Sequence, residues 1–193
     1  LGTGIVRIFD MTIAQTGLTE KEAIDLDIDI DVLHNVKPNR PEYMQGQEMV
    51  IKAIFDKNNS KLLGAQIIGY EGVDKRIDVL ATAITFGANA EDLFHLDLAY
   101  APPFSTTKDP VIYTGMIGHN ITRGRKIITP EEVIKQNNDL LILDVRSPKQ
   151  FEVNHVDGAI NVPLKMLRSY AKTLDKNQKI VTYRNKGTTG NAA

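Results

Sequence analysis

Stretches with a two-residue and a 3.6-residue hydrophobic period follow one another along this chain. Residues 1–13, LGTGIVRIFDMTI, alternate around Ile5, Arg7 and Phe9 and predict one strand. Gly17 breaks that pattern. Thr19 and Glu22 then have the spacing of a capping box, which predicts a short helix to about Leu26. The run DLDIDIDV at 25–32 alternates acid and aliphatic and reads as a strand. Its acids lack the glycine turn and closing glutamate of a calcium loop, so they read as a solvated face. Residues 37–46, KPNRPEYMQG, are loop by their prolines and glycine. QEMVIKAIF (47–55), a polar turn and KLLGAQIIGY (61–70) predict an antiparallel hairpin, with Gly64 and Gly69 marking bulges or close backbone approach.

Gly72 to Gly87 carries the strongest helical signal. Val73, Ile77, Leu80, Ala81 and Ile84 form one apolar stripe, and Val79, Ala83 and Phe86 a second, so the helix is expected either deeply buried or at a subunit interface, and a homodimer through this helix and the neighbouring sheet is expected. Asp74, Lys75, Arg76 and Asp78 read as a solvated face. Gly87 is expected as a left-handed C-terminal cap, and Asn89 as the cap of a further short helix. Gly115 and Gly118 weaken any helical signal over 108–121. A second unit begins at Thr129-Pro130-Glu131-Glu132, a helix start, followed by the apolar strand LLILDV (140–145). A short helix at 147–150, strand GAINVP (158–163), helix PLKMLRSYAKTL (163–174) and strand KIVTY (179–183) complete an alternation that predicts a parallel sheet. The expected division is a first domain over 1–121, a linker over 122–128 and a second domain over 129–193.

Composition adds mainly exclusions. With 42% hydrophobic and 24% charged residues, the chain has the make-up of an ordinary globular protein. A net charge of −1 favours neither nucleic acid nor a membrane surface. No apolar run approaches the roughly 18 residues of a membrane span, and a cytoplasmic setting is expected. There is no cysteine, so this chain alone carries no thiol chemistry. Four histidines and no cysteine also make a metal site an unpromising reading. Opening on Leu1 rather than Met predicts a piece of a longer chain.

The candidate chemistry begins with DLAYAPPFSTTKDP at 97–110, where Tyr100 and Phe104 flank Pro102-Pro103. The prolines exclude helix interior and predict a stiff, extended segment presenting both rings. Together with GVDKRIDVLATAI at 72–84, this stretch resembles the C-terminal dimerisation domain of FAD- and NAD(P)H-dependent pyridine nucleotide-disulfide oxidoreductases, in the branch of coenzyme A-disulfide reductases and NADH oxidases. The resemblance implies an α+β domain, an antiparallel sheet with helices, that forms a homodimer. It implies FAD and NAD(P)H in the full-length parent, held by N-terminal domains outside this chain. None is expected on this chain alone, which has no G-x-G-x-x-G fingerprint. It further implies that Tyr100 and Tyr43 face a coenzyme A substrate across the dimer. The family's loop carries two tyrosines and a Pro-Gly where this chain has Tyr43-Met44-Gln45-Gly46, which leaves coenzyme A disulfide, a polysulfide or dioxygen open as substrate.

In the second domain, DVRSPKQFEVNHVDGAINVP followed by IVTYRNKGTTG resembles a rhodanese, an α/β fold with a parallel sheet that is expected to be incomplete here. Rhodaneses transfer sulfur through a cysteine persulfide directly after the third strand, and this sequence has Arg184 there. A guanidinium cannot form a persulfide, so no catalytic residue is expected within the chain. The loop Arg184, Asn185, Lys186, Gly187, Thr188, Thr189, Gly190 keeps the glycines and hydroxyls of an anion-binding turn. Two other readings stay open: a rhodanese-type sulfurtransferase, and an anion- or coenzyme-binding module.

Overall fold

A computed structural model describes residues 2–125, 127–136 and 140–185. It divides into two compact units, Leu1–Arg125 and Lys126–Ala193. In the first, strands β1 (Gly4–Ile8), β2 (Met11–Gly17), β3 (Ile30–Pro38), β4 (Glu48–Asp56) and β5 (Leu62–Gly69) form one antiparallel sheet in the order β1-β2-β5-β4-β3. Helices α1 (Glu20–Asp25), α2 (Val73–Thr85), α3 (Ala90–Phe94) and α4 (Pro110–Thr122) complete it.

The expected hairpin is β4 and β5. Both of its glycines are close-approach sites: a Cβ on Gly64 would lie 1.8 Å from the Leu18 carbonyl oxygen, and one on Gly69 would lie 2.8 Å from the Met49 Cβ. The first thirteen residues differ from expectation. They hold β1, a turn at Phe9-Asp10 and the start of β2, with Ile8 opposite Met11. A two-residue turn reverses the phase of a period-two pattern, so Ile5 and Arg7 share a face with Ala14 and Thr12, and the alternation of Ile5, Arg7 and Phe9 that predicted one strand ends at the turn. Phe9 takes a φ of 53° at that turn. Likewise β3 starts only at Ile30. The first half of the acid–aliphatic run is the exit of α1, where Ile28 N–H bonds the Ala23 carbonyl and Asp27 adopts a φ of 56°.

The core lies on one face of the sheet. Met49, Ile51 and Ala53 of β4 and Ala65 and Ile67 of β5 are buried in one cluster with Val73, Ile77 and Leu80 of α2, Leu93 of α3, and Val111 and Ile117 of α4. Burying each large aliphatic chain contributes about 1.5–3 kcal/mol. The second apolar face expected of α2 is largely used within its own unit: Ala83 is buried and Val79 packs against the cluster. Phe86 alone of that face stays 84% exposed. The larger uncovered apolar feature lies across the sheet, where the register aligns Val6, Ile13, Ile68, Val50 and Val36 on the face away from the core.

Helix α4 runs through Gly115 and Gly118 despite their low helix propensity. A Cβ on Gly115 would stand 2.4 Å from the Phe94 amide nitrogen and 2.7 Å from the Leu93 Cβ. Glycine therefore costs α4 about 1 kcal/mol of propensity and lets it lie against α3. The Asp109 cap and Pro110 at the first helical position start the helix.

In the second unit, β6 (Leu140–Asp144), β7 (Ile160–Asn161) and β8 (Lys179–Tyr183) form a parallel sheet in the order β7-β6-β8. Helices α5 (Pro130–Lys135), α6 (Pro148–Val153) and α7 (Leu164–Tyr170) join them. The apolar strand β6 is central, with Ile142, Leu143 and Val145 buried around it.

Gly115→Ala is expected to destabilise the first unit by about 1–3 kcal/mol through overpacking. Gly4→Ala, where nothing lies within 4 Å, should stay within about 0.5 kcal/mol. Urea unfolding of the two variants decides this, and equal midpoints would count against the close-approach account.

Candidate functional site

The Tyr100 segment closes on itself instead of running extended. The Ala101 carbonyl accepts from the Phe104 amide at 2.9 Å and the Ser105 amide at 3.1 Å. Neither Pro102 nor Pro103 has an N–H, so the first donors beyond them close the turn. Tyr100 is 49% exposed and Phe104 72%. Both line a groove of about 540 Å³ that also touches Asn39, Arg40, Lys75 and Arg76.

Arg76 forms the floor. Placed in the first turns of α2 and read from sequence as solvated, it is only 1% exposed. Its Nε donates to Asp109 Oδ1 at 3.2 Å and its Nη2 to Asp109 Oδ2 at 2.8 Å, a bidentate pair. Nη1 donates to the Gly72 carbonyl at 2.9 Å, and Nη2 also to the Asn39 carbonyl at 3.0 Å. Asp109 in turn accepts from Ser105 Oγ at 2.7 Å and from the Val111 amide at 3.0 Å, capping α4. Asn39 fastens the next loop: its Oδ1 accepts from the Gln47 amide at 2.8 Å and its Nδ2 donates to the Glu71 carbonyl at 3.3 Å. Between Asn39 and Gln47 stands the 3₁₀ turn Glu42–Met44 carrying Tyr43, which is 74% exposed and does not line the groove.

Of the two tyrosines picked from sequence, the structure thus sets Tyr100 in the groove wall and Tyr43 on the loop leaving it. Sequence reasoning missed Arg76, Asp109, Ser105 and Asn39. The only local signal was Asp109 directly before Pro110, a helix start; nothing in the sequence paired it with an arginine 33 positions earlier.

The second unit uses a comparable device. Asp144, fully buried at the end of β6, receives Arg146 Nε at 3.0 Å and Nη2 at 2.6 Å. Arg146 also donates to the Asn154 carbonyl at 2.6 Å and to Asn185 Oδ1 at 3.2 Å. It therefore ties the end of β6 to the turn after α6 and to the loop leaving β8. Arg184 and Asn185 are exposed at the start of that loop. Lys186, Gly187, Thr188, Thr189 and Gly190 lie outside the described residues. Among the described residues no cluster of three or more His, Asp or Glu could hold a metal ion, and no helix is long and apolar enough to cross a membrane.

The pyridine nucleotide-disulphide oxidoreductase dimerisation domain matches residues 4–110. This chain belongs to that family. Behind its dimerisation domain, a rhodanese-like domain matches residues 129–193. The NAD(P)H sulfur oxidoreductase (CoA-dependent) of Pyrococcus furiosus is 41% identical over 113 residues, 58% of this chain and 25% of the relative. The coenzyme A disulfide reductase of Staphylococcus haemolyticus is 39% identical over 119 residues, 62% of this chain and 26% of the relative. Among solved structures, the reduced CoADR-RHD of Bacillus anthracis superimposes with a TM-score of 0.90 at 36% identity, over 100% of this chain and 35% of that one. The NAD-dependent persulfide reductase of A. fulgidus gives 0.74 at 33% identity, over 93% of this chain and 32% of that one. The chain thus spans about a quarter of these curated relatives and about a third of the solved chains.

The Arg146–Asp144 pair makes a pH prediction. Burial works to raise the Asp144 carboxyl, but the Arg146 side chain, the Tyr183 hydroxyl and the Arg146 amide and charge outweigh it and hold the group below its ordinary value. A carboxyl held low contributes stability that is full above its unfolded value of about 3.9 and lost as pH falls through the lower folded value. Arg146→Met removes the guanidinium bonds and charge but keeps the Tyr183 hydroxyl and the residue-146 amide on the carboxyl, so the group rises from its depressed value. The stability lost as pH falls below about 3.9 is then smaller than in the parent. Amide exchange of β6 and β8 should therefore speed up less steeply on acidification in Arg146→Met, and equal steepness would count against this account.

Proposed function

We propose that this chain is the C-terminal part of an FAD- and NAD(P)H-dependent disulfide reductase acting on coenzyme A-linked disulfide or persulfide sulfur. The dimerisation domain pairs with a second copy and lends Tyr100 to the partner's substrate site. The rhodanese-like domain is a catalytically silent appendage. NAD(P)H as reductant gives such an enzyme a cytoplasmic setting. Relatives bearing coenzyme A and persulfide reductase names support the substrate class, and the family's dimerisation role supports the pairing.

The observation that carries the reading is the placement of Tyr100, held at a groove wall by a proline turn instead of packed in the core. A phenol there donates a hydrogen bond to the thiolate released when the sulfur–sulfur bond of the substrate is cleaved. Among the described residues of the dimerisation domain, no turn fits the pyrophosphate of FAD or NAD(P)H. The domain's glycine-flanked strand-to-helix turn, Gly69 to Gly72, leaves an antiparallel strand and carries Glu71, where a pyrophosphate needs bare amides. Both cofactors belong to the remainder of the protein.

In the complete enzyme, Tyr100→Phe is expected to lower turnover roughly tenfold to hundredfold, the worth of a hydrogen bond to a charged group. Sedimentation should still give the dimer, and the thermal midpoint should be unchanged. Unaltered turnover removes Tyr100 from the reaction, and a melted domain makes its ring structural.

Arg184 sits where sulfur transfer needs a thiolate. Supplied with thiosulfate and cyanide, the chain is expected to give no thiocyanate and Arg184→Cys to give some. Equal, non-zero rates from both would place the nucleophile elsewhere.

A further inference from the structure

We infer that Arg76 is a positioning residue for the Tyr100 site, its guanidinium setting the Tyr100 segment against the loop that carries Tyr43. The inference rests on the reading of Tyr100 given above and extends it to a residue that need not touch substrate.

Three features of the geometry carry it. First, the acceptors around Arg76 belong to the segments that build the groove and not to the packed core. Asn39 precedes Arg40 and the Tyr43 turn, Gly72 begins α2, Ser105 follows the proline turn of Tyr100, and Asp109 begins α4. Secondly, the ring-bearing tips have little apolar packing of their own, because Tyr100, Phe104 and Tyr43 are all substantially exposed and Leu98 alone of the 98–106 segment packs on the core cluster. Asn39 and Arg40 tie the Tyr43 loop to Gln47 and Glu71, and the polar bonds that join that loop to the Tyr100 segment meet at Arg76. Thirdly, the bonding pattern demands a planar fork. One edge of the guanidinium, Nε and Nη2, takes both oxygens of Asp109, while Nη1 reaches the Gly72 carbonyl and Nη2 also the Asn39 carbonyl, on two further segments. A lysine ammonium is a point charge that cannot span them at once.

Stability alone is a poor account of such a pair. Buried ion pairs are often replaceable by apolar residues at no net cost, because desolvation offsets the attraction. What such a replacement loses is the direction of the bonds. Asp109→Asn keeps an acceptor for the Val111 amide, so α4 remains capped. Combined with Arg76→Met, it removes both charges while leaving the cap in place. Arg76→Lys keeps the charge and discards the fork, and serves if the double variant does not fold.

The experiment has two arms. On the present chain, amide exchange over residues 40–46 and 98–106 is compared with exchange in the β4–β5 hairpin. Both variants are expected to speed exchange in the two loops about tenfold or more while the hairpin stays protected, the pattern of a local opening rather than global unfolding. Unchanged loop exchange, or equal loss of protection everywhere, overturns the inference. In the complete enzyme, the same variants are expected to lower kcat about tenfold to hundredfold, as misplacement of a reacting group does, with KM altered much less. On a Tyr100→Phe background they should cause little further loss, since residues acting as one unit are not additive. Full additivity means that Arg76 does not act through Tyr100 and overturns the assignment. Should Tyr100→Phe itself leave turnover untouched, the reading of the tyrosine fails, while the exchange arm still decides whether Arg76 orders the loops.

Discussion

One ion pair joins the regular half of the dimerisation domain to its irregular half. The sheet and the inner face of α2 are held by apolar burial, which has no preferred direction. The Asn39 corner, the proline turn and the head of α4 are instead held where the Arg76 guanidinium meets the Asp109 carboxylate. Asp109 serves two ends, as counter-ion to Arg76 and as cap to α4, so helix and loop share a single anchor. The rhodanese-like domain repeats the arrangement with Arg146 and Asp144 at the end of a strand. In both units an arginine fixes the backbone that leads into the loop of interest.

Much of the regular structure was legible in the sequence because periodicity and capping are local. The β4–β5 hairpin, α2 with its glycine boundaries, the capping boxes at Thr19, Asn89 and Thr129, and the parallel sheet around β6 all follow from short patterns. The misses share a cause, since each depended on something distant or on parity. The turn at Phe9 reverses the phase of the alternation, and Ile5, Arg7 and Phe9 all stand before that reversal. The glycines of α4 are explained only by the α3 backbone lying against them. For Val79 and Ala83 the sequence left burial and an interface as alternatives, because no local pattern shows that their own core would reach them.

The candidate site was half legible. The YAPPF motif marked Tyr100, and the rhodanese resemblance marked Arg184. Arg76 was hidden in a charged first turn of a helix, where a solvated side chain is the ordinary outcome. Its burial follows from a carboxylate far along the chain, and a single sequence offers no means of making that connection. The extended form expected for residues 97–110 failed for a related reason: two prolines remove two donors but say nothing of which carbonyl the next donors will find.

The apolar row from Val6 to Val36 sets a constraint on whatever shields it. Neighbouring strands are about 4.8 Å apart, so five of them spread these side chains over roughly 19 Å. Each strand is also rotated from the next by about 20–25°, which over four steps amounts to roughly 80–100°. The row is consequently a twisted ridge. A flat, rigid surface laid against it would meet Ile68 and Val50 near the middle and lift away from Val6 at one end and Val36 at the other. Full coverage demands a surface with the complementary twist.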